Sequence, residues 1–158
     1  MTKLITSAQV VSLAFDDVNL YTSKIKDAHI YVAQEEYLRP LLGQDFYDDM
    51  IAKSEQSPYS DLITNYLIIP LAYFVKYVAL PELTISVSSL GMNLVQPEGT
   101  IAATDRQAGL MREQAMDVAK ALMDKAIRYI EDNETTFSEY NQADTVKSET
   151  KVLGGIIF

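Results

Sequence analysis

The sequence predicts a mainly α fold: a helical bundle with one long C-terminal helix, a small β-hairpin and an extended C-terminal tail. Three observations predict it. Apolar residues recur at steps of three and four along most of the first 140 residues. A period-two alternation marks residues 84–95. From residue 141 onward no helical period is present. The chain thus divides into a helical domain over 1–140, with its hairpin near 84–95, and a tail over 141–158.

Thr6 or Ser7 is placed to cap a first helix with Val10, Val11, Ala14 and Phe15 on its apolar side. Asp16 and Asp17 follow, and acids disfavour a helix C-terminus, so this helix should be short. A second helix is expected from Tyr21–Ser23 to Leu38, with Ile25, Ala28, Val32 and Ala33 inward and Pro40 as its stop. Gln44 opens another, running to Lys53 with Phe46, Met50 and Tyr47 inward, before a polar loop at 54–58. Leu62, Ile63, Tyr66 and Leu67 make a stripe that continues past Pro70 through Leu71, Phe74, Val75 and Val78, as two helices or one kinked helix, and Pro81 is expected to end it. Asn65, Pro70 and Lys76 interrupt the apolar run from Leu62 to Leu80, which suits a core element better than a membrane span.

Thr84–Val87 and Met92–Val95 alternate around Gly91, the pattern of a hairpin. Residues 96–100, with Pro97 and Gly99, read as a loop. The longest helix follows from Thr104 to Asp132, with Met111, Ala115, Val118, Leu122, Ala126, Tyr129 and Ile130 as its apolar stripe. At about 1.5 Å per residue it spans roughly 40 Å, more than a domain of this size requires. The tail is polar through Glu149 and then turns apolar at Val152, Leu153, Gly154, Gly155, Ile156, Ile157 and Phe158.

Composition excludes several function classes. The chain carries 22 acidic and 13 basic residues, a net charge of −9, which repels phosphate backbones and anionic lipid. It has no cysteine, hence no disulfide, thiolate metal site or cysteine nucleophile. The apolar run at Met1–Thr6 is too short for a signal peptide. His29 stands alone, without the spacing of a metal or catalytic pair, and reads as a structural or surface residue. The doublets Asp16-Asp17, Glu35-Glu36 and Asp48-Asp49 cannot converge on one ligand, because neighbours on a helix point apart. No glycine-rich phosphate loop or nucleophile elbow is present. No catalytic, cofactor-binding or metal-binding residue is nominated, and the chain reads as a non-enzyme. Its ten tyrosines suit either the amphipathic edge of a core or surfaces buried on assembly.

The run Ala33-Gln34-Glu35-Glu36-Tyr37-Leu38-Arg39-Pro40-Leu41-Leu42-Gly43 carries a resemblance, together with Ile69-Pro70-Leu71-Ala72-Tyr73-Phe74 and the hairpin around Leu90-Gly91-Met92. The long helix into Tyr129-Ile130-Glu131-Asp132-Asn133, then Phe137-Ser138-Glu139-Tyr140, completes it. Over roughly residues 5–140 the chain resembles the head–tail connector (adaptor, or neck ring) subunits of tailed bacteriophages, as in Bacteroidetes-infecting and crAss-like phages. The resemblance implies a structural protein of the virion neck, assembled in the host cytoplasm as a ring of twelve copies beneath the portal. Such a ring bridges portal protein and further neck or tail proteins, and passes genomic DNA without sequence-specific binding. It implies no cofactor and no membrane.

Two stretches are the expected partner interfaces. The apolar tail, Val152, Leu153, Gly154, Gly155, Ile156, Ile157 and Phe158, would order on binding the portal. The hairpin, through Ile85, Val87, Leu90 and Met92, offers an edge for a neighbouring copy. The competing reading is a small helical protein-binding or regulatory module that forms no ring.

Overall fold

Helix α1 (Ser7–Ala14) begins at Thr6, whose hydroxyl accepts from the Gln9 backbone N–H at 3.2 Å while the Gln9 side chain accepts from the Thr6 N–H at 2.9 Å. This reciprocal capping box satisfies two donors that a helix start leaves open. The computed structural model describes residues 2–15, 22–88, 91–94, 105–145, 152–153 and 156–157, and it is mainly helical. Val10 and Ala14 are buried and the helix is short, as expected; Asp16 and Asp17 lie outside the described residues.

The second helix starts later than its periodicity suggests. Thr22–Lys24 forms a single 3-10 turn, and α2 (Asp27–Ala33) follows. Its buried face is His29, Ile30 and Ala33, whereas Ala28 and Val32 are exposed. The period was right and the face was displaced, because two polar residues, His29 and Gln34, occupy buried positions.

Pro40 does not stop this helix. α2 runs through a π turn at Gln34–Leu38 into α3 (Arg39–Leu42), and the chain turns only at Gly43, which adopts φ 82°. The Arg39 N–H bonds to the Gln34 carbonyl, five residues back. A proline ring in a regular helix strikes the carbonyl four residues earlier. Here that carbonyl belongs to Glu36, inside the widened turn. The same device recurs in α5 (Tyr59–Leu62), the π turn Ile63–Leu67 and α6 (Ile68–Thr84), where the Ile68 N–H reaches the Ile63 carbonyl just ahead of Pro70. One helix thus replaces the two segments that the sequence left open. Pro81 does not end it either: it sits in the last turn, and the helix closes at Thr84.

Helix α4 (Gln44–Ala52) buries Phe46, Tyr47 and Met50, as its spacing predicts. α6 is the axle of the fold, with Leu71, Ala72, Phe74, Val75 and Ala79 all buried against α1, α2 and α7. The span Tyr59–Leu83 is long and apolar enough to cross a membrane by composition, and half of its most apolar window is buried inside the fold. Beyond it, β1 (Ile85–Ser88) and β2 (Gly91–Leu94) pair antiparallel, Ile85 opposite Leu94 and Ser88 opposite Gly91. The loop expected at 96–100 lies outside the described residues.

Helix α7 (Asp105–Asp132) has 28 residues. Its buried stripe is Ala115, Ala119, Met123, Ala126, Ile127 and Ile130. The expected stripe is therefore corrected in part: Ala115, Ala126 and Ile130 are buried, Val118, Leu122 and Tyr129 are half-buried, and Met111 is exposed. Small residues at 115, 119 and 126 let α7 approach α6 closely, which turns the larger Val118 and Leu122 to the side. Asn133 closes the helix, its side-chain N–H donating to the Tyr129 carbonyl at 2.7 Å. In the tail, Val152–Leu153 (β3) and Ile156–Ile157 (β4) pair antiparallel with each other.

Candidate interaction surface

Helices α6 and α7 run antiparallel, because Tyr66 stacks on Tyr129 with ring centroids 4.0 Å apart while Arg112 lies over the Tyr77 ring at 4.2 Å. At 100° per residue the buried stripe of α7 faces α6. Met111, at 48% exposure, lies off that stripe on a flank that the half-buried Val118 and Leu122 continue, and Leu110, at 55%, points away from the stripe altogether. Ile69 of α6 is also exposed, at 40%. On the other flank, Lys120 and Asp124 join Met123 and Leu41 of α3 around a hollow of about 320 Å³. Sequence reasoning missed this hollow, since Leu41 is brought to α7 only by the unbroken α2–α3 helix. Its signal was present in α7, whose apolar positions are too many for one stripe.

The nominated interface residues that are described fall in two separate two-stranded sheets. Ile85 and Val87 lie on β1 and Met92 on β2, with Val87 opposite Met92. In the tail, Val152 pairs with Ile157 and Leu153 with Ile156. Leu90, Gly154, Gly155 and Phe158 lie outside the described residues.

Several polar side chains tie the elements together. The Gln34 side chain accepts from the Leu4 N–H at 3.0 Å and donates to the Thr2 carbonyl at 3.0 Å and the Tyr47 hydroxyl at 3.1 Å. It thereby holds the N-terminal segment as a neighbouring strand would, and Ile5 beside it is buried. His29 Nδ1 accepts from the Lys26 backbone N–H at 3.2 Å, the role a glutamate or glutamine takes in a capping box. That bond places the imidazole proton on Nε2, 3.2 Å from the Glu82 carboxylate but poorly aligned with it. The hydrogen bond from Lys26, with the His29 imidazole close by, holds Glu82 below the usual carboxylate range.

Arg39 clamps Glu35 at 2.8 Å and both Asp48 oxygens at 3.1 and 3.2 Å. The Tyr59 hydroxyl, buried and bonded to Asp49 at 2.8 Å, is held well above the ordinary tyrosine pKa by burial and by that carboxylate. None of the described tyrosines is exposed, and Tyr37, Tyr59, Tyr66, Tyr77, Tyr129 and Tyr140 pack on one another or on Phe46, Phe74 and Phe137, which suits the edge of a core. Among the described residues no group of three or more acidic or histidine side chains is placed to hold a metal ion.

Over residues 20–150 the chain matches the model of a family of unknown function (DUF6712). No curated protein and no solved structure matches.

Proposed function

The chain belongs to the DUF6712 family, whose function is unknown, and from that premise we propose that it is a structural virion protein, a head–tail connector subunit. In this reading, copies form a ring of twelve beneath the portal, bridge it to the tail and line the channel through which DNA passes. The observation that carries the proposal is α7, whose apolar surface exceeds what its own core covers. A helix with a second apolar flank is suited to packing against a neighbour.

Other features support the same reading. The net charge of −9 suits a channel wall that lets DNA slide without holding it. The β1–β2 pair has edges that a neighbour can extend. The tail, from Val152 to Phe158, has the apolar character of a peptide that docks on the portal. The test is electron microscopy of the full chain mixed with the portal protein from the same genome. A ring of added density under the portal is expected and gives the copy number directly. A one-to-one or dimeric complex, or no association at all, overturns the connector reading in favour of the binding module.

A further inference from the structure

Beyond α7 the chain doubles back as a strap. Phe137 is buried against Phe46, Tyr59 and Tyr129, and Tyr140 meets the Phe46 ring edge-on. The Tyr59 hydroxyl lies 3.1 Å from the Glu139 carboxylate. The strap ends in a 3-10 turn, Gln142–Asp144, and in the buried Thr145, whose hydroxyl donates to the Gln142 carbonyl at 2.9 Å. There it rests on the corner between α3 and α4, so close that a Cβ on Gly43 would stand 3.4 Å from that of Asp144. Gly43 is two residues beyond Leu41, which walls the hollow together with Lys120, Met123 and Asp124. The tail therefore leaves the domain from a fixed point beside the hollow.

We infer that the β3–β4 pair of the tail docks into this hollow of its own chain. The paired residues are Val152 with Ile157 and Leu153 with Ile156, and successive strand residues alternate between faces, so the pair is apolar on both. Two strands alone are marginal in water and need a surface to lie against. The hollow is the complementary case, about 320 Å³ of space walled by Leu41 and Met123, with the apolar stem of Lys120 at its side.

Tethering selects the occupant. Seven residues of chain lead from Thr145 to Val152, a reach of up to about 23 Å when extended. Lys147, Ser148, Glu149, Thr150 and Lys151 are all polar, which suits a span that stays in water. On so short a linker the pair meets the hollow at an effective concentration on the order of millimolar. A second copy or another protein has to reach that concentration to displace it. The contact lies within one chain and stands or falls apart from the connector reading. Where a portal captures the tail, it does so in competition with the hollow.

Methyl NMR of the full chain, with its six methionines labelled, tests this. Met123→Leu assigns the signal of the methionine that walls the hollow, and Met50→Leu assigns one buried elsewhere in the core. In Val152→Asp/Ile157→Asp the tail pair loses its apolar character. The Met123 methyl should then shift from its native position, while an unmoved Met50 methyl shows the domain intact. The shift should be the same at every protein concentration, because occupant and hollow belong to one chain. A Met123 signal identical in the native chain and the tail variant overturns the inference. A difference that fades on dilution assigns the hollow to a neighbour's tail and overturns it as well.

Discussion

Lys76 Nζ donates a 2.6 Å hydrogen bond to the backbone carbonyl of Ala14, so the charge that interrupts the most apolar helix closes the end of α1. The ammonium also lies over the Phe15 ring at 5.0 Å and the Tyr73 ring at 5.8 Å. α1 has no basic residue in its last turn, and Lys76 supplies from α6 the positive charge that its carbonyls favour. Lys76→Met keeps the apolar stem and removes the donor. It should cost about 1.5–3 kcal/mol, the range for a hydrogen bond to a charged group. Urea denaturation measures it, and an unchanged midpoint would show that the contact contributes nothing.

Gln34→Leu should be costlier than its size suggests. It strands the Leu4 N–H and the Thr2 carbonyl, and removes the donor to the Tyr47 hydroxyl. A polar group left unpaired out of reach of water costs about 1–3 kcal/mol; the half-buried Leu4 N–H falls toward the lower end, and the exposed Thr2 carbonyl can turn to water. Beyond lower stability, the N-terminal segment should loosen, and hydrogen exchange at Leu4 reads that separately. Exchange at Leu4 as slow as in the native chain would contradict the strand-like role given to Gln34.

These two residues show which parts of the fold were legible. Periodicity located the helices, since burial of Val10, Phe46, Met50, Leu71 and Phe74 follows from their spacing alone. It misplaced the inner face of α2 because Gln34 and His29 are buried polar residues, satisfied by partners distant in sequence or by a cap. The prolines misled for a related reason. A ring at position 40 or 70 forbids a regular α turn, but not a helix that widens just ahead of it, and nothing in the local sequence announces a π turn. For the surface, the excess of apolar positions on α7 was visible. The hollow beside Lys120 was not, because Leu41 arrives there through tertiary packing.

His29 offers a test between capping and chemistry. Its Nδ1 accepts at the third position of α2, where glutamine is a natural substitute. His29→Gln should therefore stay close to native stability, whereas His29→Leu should lose roughly 0.5–2 kcal/mol, the usual worth of a cap. Thermal unfolding of the two variants side by side decides it. Equal losses in both would mean that the imidazole ring, and not its acceptor nitrogen, is what α2 requires.

The alkaline limit of the fold should be set in part by Tyr140. Burial pushes its hydroxyl up to about 12, with the Glu131 carboxylate as a lesser cause. The unfolded chain titrates near 10, the ordinary tyrosine value. Between those two pH values the folded protein binds more protons than the unfolded one, and stability then falls as pH rises. The contribution is complete below about pH 10 and is lost progressively on the way to about 12. Tyr140→Phe removes the ionising group while keeping the ring, whose centroid lies 5.5 Å from that of Phe46 in a T-shaped contact. The variant should thus unfold at higher pH than the native chain in an alkaline titration followed by far-UV circular dichroism. Tyr59→Phe separates this effect from hydrogen bonding. It also removes a hydroxyl raised by burial, but it breaks the bond to Asp49 and should lose stability at neutral pH as well. An alkaline midpoint that does not move in Tyr140→Phe would place the limiting ionisation elsewhere in the chain.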